Sequence, residues 1–249
     1  MSSGFSLSCA VCHRHGQSRF CGVAVPRGLE AVVVERRHCP NAGPDCALKP
    51  MAALVAGLDE QGMEAALQES GACVEAEGSR LLSGPNLQYA LDAGGLYMAL
   101  STATAYSLAP ARLFCRVLAQ RLDMSAGRCE GIELSLHEAI MNGLLHGNLE
   151  MSSDDRQTWA GFRRFCEQID GRLLDPAFAG RPIEIMAVAD GRRVAVTVVD
   201  SGPGYCMTPT VQETDPGRKS GRGLAVISHF AREIEITEGG RRLSMRFER

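Results

Sequence analysis

The sequence predicts an α/β protein built as a two-layer α/β sandwich, in which helices pack on an antiparallel-rich sheet. Two observations support this prediction. Apolar residues repeat with helical spacing in several segments, and these segments alternate with short β-branched runs. Two pairs of such runs are joined by short turns, at Asp190-Gly191 and Gly239-Gly240, as in hairpins of antiparallel strands. Because helices and hairpins share one continuous stretch, we expect them to form one unit.

The turn cluster Ser83–Asn86 is the predicted domain boundary, between an N-terminal region of uncertain fold (residues 1–85) and a domain at residues 95–249. Before it, Leu29–Glu35 is strand-like, and residues 51–82 favour a helix followed by a short strand near Ala72–Ala76. The strands predicted after it are Leu96–Thr104, Pro182–Val188, Arg193–Val199, Glu233–Thr237 and Arg242–Phe247. The helices predicted after it are Pro110–Leu122, Ile132–Leu145, Thr158–Leu173 and Leu224–Ala231.

The composition is that of an ordinary globular protein. The 249 residues are 45% hydrophobic and 22% charged, which suffices for one large or two small domains with buried cores. The net charge of −3 gives no basic footprint for direct binding of nucleic acid. No apolar run approaches the ~20 residues of a membrane helix, and the N-terminus lacks the pattern of a secretory signal. We therefore expect a cytoplasmic protein that does not contact membranes.

Five of the ten cysteines lie in the first 46 residues. Within this region Cys9-Ala-Val-Cys-His13 matches the pattern of covalent haem attachment, but the missing secretory signal argues against haem. A zinc site is a second interpretation, although the spacings match no standard zinc finger. Its candidate ligands are Cys9 and Cys12 with two of His13, His15, Cys21, Cys39 and Cys46. Unligated thiols in a reducing compartment remain the leading interpretation.

The predicted helix Ile132–Leu145 carries the first chemical pattern. At ~100° per residue, Ser135, Glu138, Asn142 and His146 share one narrow face of this helix and its continuation. The opposite arc is apolar and is expected to pack against the sheet; its members are Ile132, Leu136, Ala139, Ile140 and Gly143. A solvated polar face is the plain alternative, but such faces usually mix charges, and this one has no lysine or arginine. The groups it presents are suited to metal binding and proton transfer.

Two glycine-rich segments follow. Asp200 ends a strand of the buried type and precedes Gly202 and Gly204, so a flat ligand could approach the backbone while the carboxylate accepts a hydrogen bond from its amino group. An ordinary turn explains this segment equally well. Gly217–Leu224 is a basic, glycine-rich loop that opens a helix, as in phosphate-binding sites, although basic loops of this kind are common.

The order of these three segments resembles the Bergerat-fold ATPase superfamily, which includes gyrase, heat-shock chaperones, histidine kinases and a mismatch-repair ATPase. The resemblance covers about residues 95–249 and implies a histidine kinase-like ATPase fold. Within the superfamily, Glu138, Asn142 and the run His146-Gly147-Asn148 look most like the anti-sigma factor serine kinases. Other segments that fit such domains are Leu149–Ser153, Arg181-Pro182 and Ser220–Leu224. Typical histidine kinases usually lack this glutamate and carry a helical hairpin with a phosphorylatable histidine, and no such hairpin is evident in this sequence.

The resemblance implies ATP and Mg²⁺ as cofactors. In the family, the asparagine that matches Asn142 ligates Mg²⁺, and the glutamate that matches Glu138 is the general base for phosphoryl transfer. Asp200 would bind the adenine amino group, with Gly202 and Gly204 shaping the base pocket. His146 would support the metal or the phosphates, or would have a structural role. The phosphate-binding residues implied by the third segment are Lys219, Gly221, Arg222, Gly223 and Leu224.

The resemblance also implies the partners. The phosphate acceptor would be a serine or threonine of a regulatory protein of the anti-anti-sigma type, and a sigma factor would be a second partner. A homodimer is an open alternative for the assembly. Two other functions also stay open: a nucleotide-dependent interaction module that transfers no phosphate, and the catalytic ATP-binding half of a split histidine kinase.

Overall fold

The computed structural model describes residues 5–8, 20–23, 31–33, 53–55, 59–77, 80–82, 86–152, 158–204 and 222–249. The strands are β1 (Phe5–Ser8), β2 (Phe20–Val23), β3 (Ala31–Val33), β4 (Ala53–Val55), β5 (Ala72–Glu77), β6 (Arg80–Leu81), β7 (Leu96–Ser101), β8 (Pro182–Asp190), β9 (Arg193–Val199), β10 (Glu233–Thr237) and β11 (Arg242–Glu248). The helices are α1 (Glu60–Ser70), α2 (Asn86–Asp92), α3 (Thr102–Ser107), α4 (Pro110–Leu122), α5 (Ala126–Asn142), α6 (Trp159–Leu174), α7 (Pro176–Ala179) and α8 (Arg222–Phe230). A π-helical turn, Gly143–Asn148, continues α5.

Most strands belong to one mixed sheet with the order β10-β11-β9-β8-β7-β5-β4-β3. Neighbours from β10 to β7 are antiparallel, whereas β7 pairs with β5, and β5 with β4, in parallel. Strand β6 pairs with β5, and β1 and β2 form a separate antiparallel pair. Both predicted hairpins are present, because β8 pairs with β9 and β10 with β11. The predicted α/β fold class is therefore confirmed.

A layer of helices covers one face of the sheet and encloses the main hydrophobic core. Alternate residues of β8, β9 and β11 are buried in this core, as expected for strands with one apolar face. The buried strand residues are Ile183, Ile185, Ala187, Val194, Val196, Val198, Leu243, Met245 and Phe247. The predicted apolar arc of α5 and the π turn is buried throughout, and it fixes which side of that helix faces away from the sheet.

Strand β7 is buried on both faces along its whole length. Leu96, Met98 and Leu100 lie in the main core. Tyr97 and Ala99 lie in a second cluster, together with partly buried side chains of α2. The Tyr97 hydroxyl also donates a hydrogen bond to the Glu184 carboxylate at 2.7 Å. The sheet therefore carries a local third layer at its centre, where α2 covers the face opposite the main core.

The sheet and the main core continue across the predicted boundary at Ser83–Asn86. Strand β5 pairs with β7, and α1 packs on α4 with Met63 and Leu67 fully buried. The Arg121 guanidinium of α4 donates a 3.0 Å hydrogen bond to the Leu67 carbonyl near the end of α1. Residues 59–77 thus share their packing with the domain predicted from residue 95 onward, and the division of the chain into two domains stays a prediction.

Two predicted segments begin or end differently in the structure. The strand predicted at Leu96–Thr104 ends at Ser101, because the Ser101 hydroxyl accepts a hydrogen bond from the Thr104 backbone N–H and caps α3. The helix predicted within residues 51–82 starts later than expected, because strand β4 precedes it. The observed helix α1 begins only after Asp59, whose carboxylate caps it by accepting from the Gly62 N–H at 2.7 Å.

Across the described ranges, no helix combines the length and the apolar character needed to cross a membrane. The same ranges contain no cluster of three or more histidine, cysteine, aspartate or glutamate side chains placed to hold a metal ion. Neither interpretation of the N-terminal cysteines, unligated thiols or a zinc site, is tested by the described residues. The candidate zinc ligands lie outside the described residues, apart from Cys21, of which the structure describes only the β2 backbone.

Candidate nucleotide-binding site

The first part of the site is formed where α8 begins beside α5. Glu138 and Asn142 lie one helical turn apart on α5, and both are half-buried. Gly223 of α8 lies against both side chains, because a Cβ atom there would be 2.7 Å from Glu138 Oε2 and 3.2 Å from Asn142 Nδ2. Two of the three predicted segments therefore meet here, and the structure brings a carboxylate and a carboxamide to the start of a helix.

The predicted polar face of α5 is not uniform. Ser135 was predicted to share this face with Glu138; it is fully buried, and its hydroxyl donates to the Gly131 carbonyl at 2.8 Å. Gly131 itself lies under the ring of Phe230 at the end of α8. Helix α8 therefore covers the first half of this face, and only the half that carries Glu138 and Asn142 stays open at the start of α8.

The π-helical turn connects α5 to the second part of the site. In this turn the backbone widens, so that the Leu149 N–H donates to the Leu144 carbonyl at 2.8 Å. The wider turn brings Gly143 and Gly147 against Asp200 at the end of β9. A Cβ atom at Gly147 would overlap the Asp200 carboxylate. Only glycine permits this approach, and the first and second predicted segments meet at this contact.

Asp200 is a buried carboxylate at the end of β9. Its side chain is 5% exposed, and Oδ1 accepts from the Gly202 N–H at 2.9 Å. Burial raises the pKa of Asp200 to about 6, although the Gly202 N–H and the nearby Arg241 charge act in the opposite direction. With a pKa of about 6, the group is still mostly ionised at neutral pH. The carboxylate can therefore accept a hydrogen bond from an amino group of a ligand.

The turn after Asp200 is packed between two backbone segments. Gly202 lies against the backbone of Gly147, and a Cβ atom there would overlap the Gly147 carbonyl. Gly204 has a φ of 88°, a conformation that favours glycine, and it packs against the Gly239 carbonyl in the turn between β10 and β11. Both glycines predicted to shape a base pocket are thus required by close backbone contacts.

His146 belongs to the π turn and contacts the segment that follows it. Its Nδ1 is 2.8 Å from the Met151 carbonyl, within hydrogen-bond distance. Arg181 donates to the Asn148 carbonyl at 2.7 Å, and Arg172 donates to the Leu149 carbonyl. These contacts fasten the backbone that follows the π turn. They support the structural alternative for His146, whereas its role toward metal or phosphate stays a prediction.

The third predicted segment is described only in part. Lys219 and Gly221 lie outside the described residues, and the structure describes Arg222 only as the backbone start of α8. Leu224 is half-buried and packs against the main core. Gly223 is therefore the residue of this segment that the structure brings to Glu138 and Asn142.

Asn148 is a residue of the site to which the sequence analysis assigned no role. It is fully buried at the end of the π turn, and its Oδ1 accepts from the Ser201 N–H at 2.7 Å. Its Nδ2 donates to Thr102 Oγ1 at 2.8 Å and to the Pro182 carbonyl at 3.1 Å. The sequence offered one signal, the position of Asn148 directly after His146-Gly147 in the run that resembles the anti-sigma factor serine kinases. The contacts themselves come from segments far apart in the chain.

These residues fit a bound adenine nucleotide with its metal ion. A buried carboxylate beside glycine backbones suits a flat base that carries an amino group. A carboxamide oxygen suits a hard cation that keeps most of its waters. The start of a helix suits phosphate groups. The Glu138 and Asn142 contacts with Gly223 lie before the π turn, whereas Asp200 lies against the turn itself, at Gly143 and Gly147.

Residues 101–247 match the family model of the histidine kinase-like ATPase domain. Because the match covers more than half of the chain, this protein belongs to the histidine kinase-like ATPase family. The family membership confirms the resemblance at that level, and with it ATP binding and an ATP-dependent regulatory function. No curated protein matches the chain.

Proposed function

We propose that this chain is an ATP-dependent protein serine/threonine kinase of the anti-sigma factor type. It would transfer the γ-phosphate of ATP to a regulatory partner protein. The observation that supports this proposal is the position of Glu138, half-buried one turn before Asn142 and beside Gly223 at the start of α8. A carboxylate at this place is suited to accept a proton from an incoming hydroxyl group.

In this proposal, each end of the site has its own task. Asp200 accepts a hydrogen bond from the adenine amino group, and Gly202 lets the base approach the backbone. The Asn142 carboxamide oxygen would ligate Mg²⁺, and Gly223 brings the start of α8 close to Glu138 and Asn142. Bound Mg²⁺ would supply neutralisation of the phosphate charge, so the residues of the protein mainly position the reactants. Glu138 accepts the proton of the acceptor hydroxyl as the new P–O bond forms and the bond to ADP breaks.

The proposed acceptor is a serine or threonine of an anti-anti-sigma-like protein, and a sigma factor is the proposed second partner. The proposal rests on Glu138, because typical histidine kinases lack this glutamate. In a serine kinase the attacking group is a hydroxyl, which needs a base to remove its proton. A histidine acceptor attacks through a ring nitrogen that already carries a lone pair, so it depends less on such a base.

The test uses radiolabelled ATP and candidate partners of the anti-anti-sigma and sigma types. The wild-type protein should place acid-stable phosphate on a serine or threonine of the partner. Glu138→Gln should bind ATP with unchanged affinity and lose about 10²- to 10⁴-fold in the rate of transfer, because only the proton acceptor is removed. Calorimetry measures the affinity and single-turnover kinetics measure the rate.

Glu130→Gln is the matched control, since Glu130 is exposed on the same helix two turns earlier. It should leave both quantities unchanged. Full transfer by Glu138→Gln would contradict the assignment of the base. Acid-labile phosphate would indicate a split histidine kinase. ATP-dependent partner binding without transfer would indicate an interaction module.

A further inference from the structure

We infer that Asn148 is a positioning residue that holds the turn after Asp200 and thereby sets the preference for adenine over guanine nucleotides. This inference rests on the proposed adenine-binding role of Asp200. Asn148 contacts neither Glu138 nor Asn142 through any hydrogen bond between described residues, so it belongs to the base end of the site.

Asn148 contacts the turn after Asp200 directly. Ser201 lies between Asp200 and Gly202, and its N–H donates to Asn148 Oδ1 at 2.7 Å. The Asp200 N–H donates to the Arg241 carbonyl at 3.0 Å. The turn is therefore fixed on one side by the hairpin of β10 and β11 and on the other by the Asn148 carboxamide.

Asn148 is itself held by hydrogen bonds from its NH₂ group. Its Nδ2 donates to Thr102 Oγ1, to the Pro182 carbonyl and, at 3.4 Å, to the Arg181 carbonyl. Its side chain therefore meets a donor on one side and acceptors on the other, a pattern that a carboxamide satisfies. If the amide were flipped, its NH₂ group would face the Ser201 N–H, so two donors would meet. Aspartate would place an oxygen against two backbone carbonyls.

The position of the turn determines the position of the Asp200 carboxylate. The Asp200 side chain lies against Gly147, while Gly202 lies against the backbone of the same glycine. Little space remains for the carboxylate to adjust, so a shift of the turn would change the position of its oxygens. Adenine presents an amino group where guanine presents a carbonyl oxygen, which a carboxylate repels. Preference for adenine therefore depends on the place at which Asn148 holds the turn.

The test compares three ligands of the full chain by calorimetry: ATP, GTP and inorganic tripolyphosphate, each with Mg²⁺. Asn148→Ala removes the side-chain acceptor that holds the Ser201 N–H. We expect it to lose about ten- to a hundredfold in ATP affinity and most of the ATP-to-GTP preference. Tripolyphosphate affinity should stay within about twofold, because that ligand lacks a base and uses the phosphate end. Asn148→Ser, which also loses the Ser201 contact, serves if the alanine variant does not fold.

Two further variants make each outcome decisive. Thr102→Val removes a hydrogen-bond partner of Asn148 Nδ2 but leaves the Ser201 contact, so it should lower the melting temperature without changing the ATP-to-GTP preference. Equal loss of ATP and tripolyphosphate affinity in Asn148→Ala, or equal loss of preference in Thr102→Val, would overturn the inference. Asp200→Asn distinguishes a failure of the proposed function from a failure of this inference. If Asp200→Asn keeps full ATP affinity, the proposed adenine role of Asp200 is wrong. If Asp200→Asn loses the ATP-to-GTP preference while Asn148→Ala keeps it, only the role inferred for Asn148 is wrong.

Discussion

The two ends of the candidate site are built in different ways. At the base end, Asp200, Gly147 and Gly202 are buried and in mutual contact, and Asn148 is held by hydrogen bonds on both sides. At the phosphate end, Glu138 and Asn142 are half-buried side chains of one helix. The base end is therefore part of the packed core, whereas the phosphate end is a set of side chains placed on its surface.

Under the proposed function, this difference would separate the residues that determine nucleotide binding from those that determine phosphoryl transfer. Changes at the base end should alter both the stability of the fold and ligand recognition, because the same close contacts serve both. Changes at the phosphate end can alter transfer while the fold stays intact, because the ends of flexible side chains can move at low cost. Three substitutions test this separation, and we give them in the order of their expected effect on stability.

Gly202→Ala should have the largest effect. The new methyl group would overlap the Gly147 carbonyl, and a backbone atom cannot move aside as a side chain can. We expect a loss of about 3 kcal/mol or more in the free energy of unfolding, at the upper end for overpacked sites, together with loss of ATP binding. Urea denaturation and calorimetry measure the two effects.

Gly171→Ala on α6 is the control for that substitution, since a Cβ atom there meets nothing within 4 Å. It should be neutral or slightly stabilising. If Gly202→Ala were as stable as Gly171→Ala, the base end would have more room than the packing indicates, and the comparison between the two ends would fail.

Asp200→Asn should have the next largest effect, in the opposite direction. The folded pKa of about 6 lies above the ordinary value of 3.8, so the folded state loses stability as the pH rises from about 4 to 6 and the buried carboxylate ionises. The rise in pKa corresponds to about 3 kcal/mol. Asparagine cannot ionise, so the variant should exceed the wild type by about that amount at pH 7.5 and by little at pH 4, while its ATP affinity falls.

Denaturation curves of both proteins at several pH values measure this difference. Asp170→Asn, at an exposed position of α6, is the control and should follow the wild type at every pH. A stability difference between Asp200→Asn and the wild type that does not change between pH 4 and pH 7.5 would mean that burial of the carboxylate carries no such cost.

Gly223→Ala should have the smallest effect on stability and still impair transfer. The new methyl group would lie 2.7 Å from Glu138 Oε2, which is the end of a flexible side chain and can move. We expect the free energy of unfolding to change by less than about 1 kcal/mol, because alanine also favours the helix. Transfer should fall about tenfold or more, since the base is displaced. Single-turnover kinetics and urea denaturation measure these effects.

Gly127→Ala, on the same helix as Glu138 but in open space, is the matched control and should leave the transfer rate unchanged. A large loss of stability in Gly223→Ala would show that the phosphate end is as tightly packed as the base end. Equal transfer rates in the two variants would show that the rate of transfer does not depend on the position of the Glu138 carboxylate.

Local patterns predicted much of the fold and part of the site. The hairpin of β8 and β9 and the helix Pro110–Leu122 were predictable because strand alternation and a proline in the first helical turn act within a few residues. The row of Glu138 and Asn142 was predictable for the same reason, since helical periodicity places residues one turn apart on one face. The burial of Ser135 on this face was not predictable, because the packing of α8 over α5 is a tertiary contact.

The sequence by itself therefore determined the order of the elements, the apolar face of α5 and the chemical groups that the three segments carry. Only the tertiary structure decided that the sheet continues from β7 into β5, that Gly147 lies against Asp200, and that Asn148 holds the Ser201 N–H. The physical reason is distance along the chain. Periodicity and turn preferences act between near neighbours, whereas these contacts join residues that only the packing of the sheet and helices brings together.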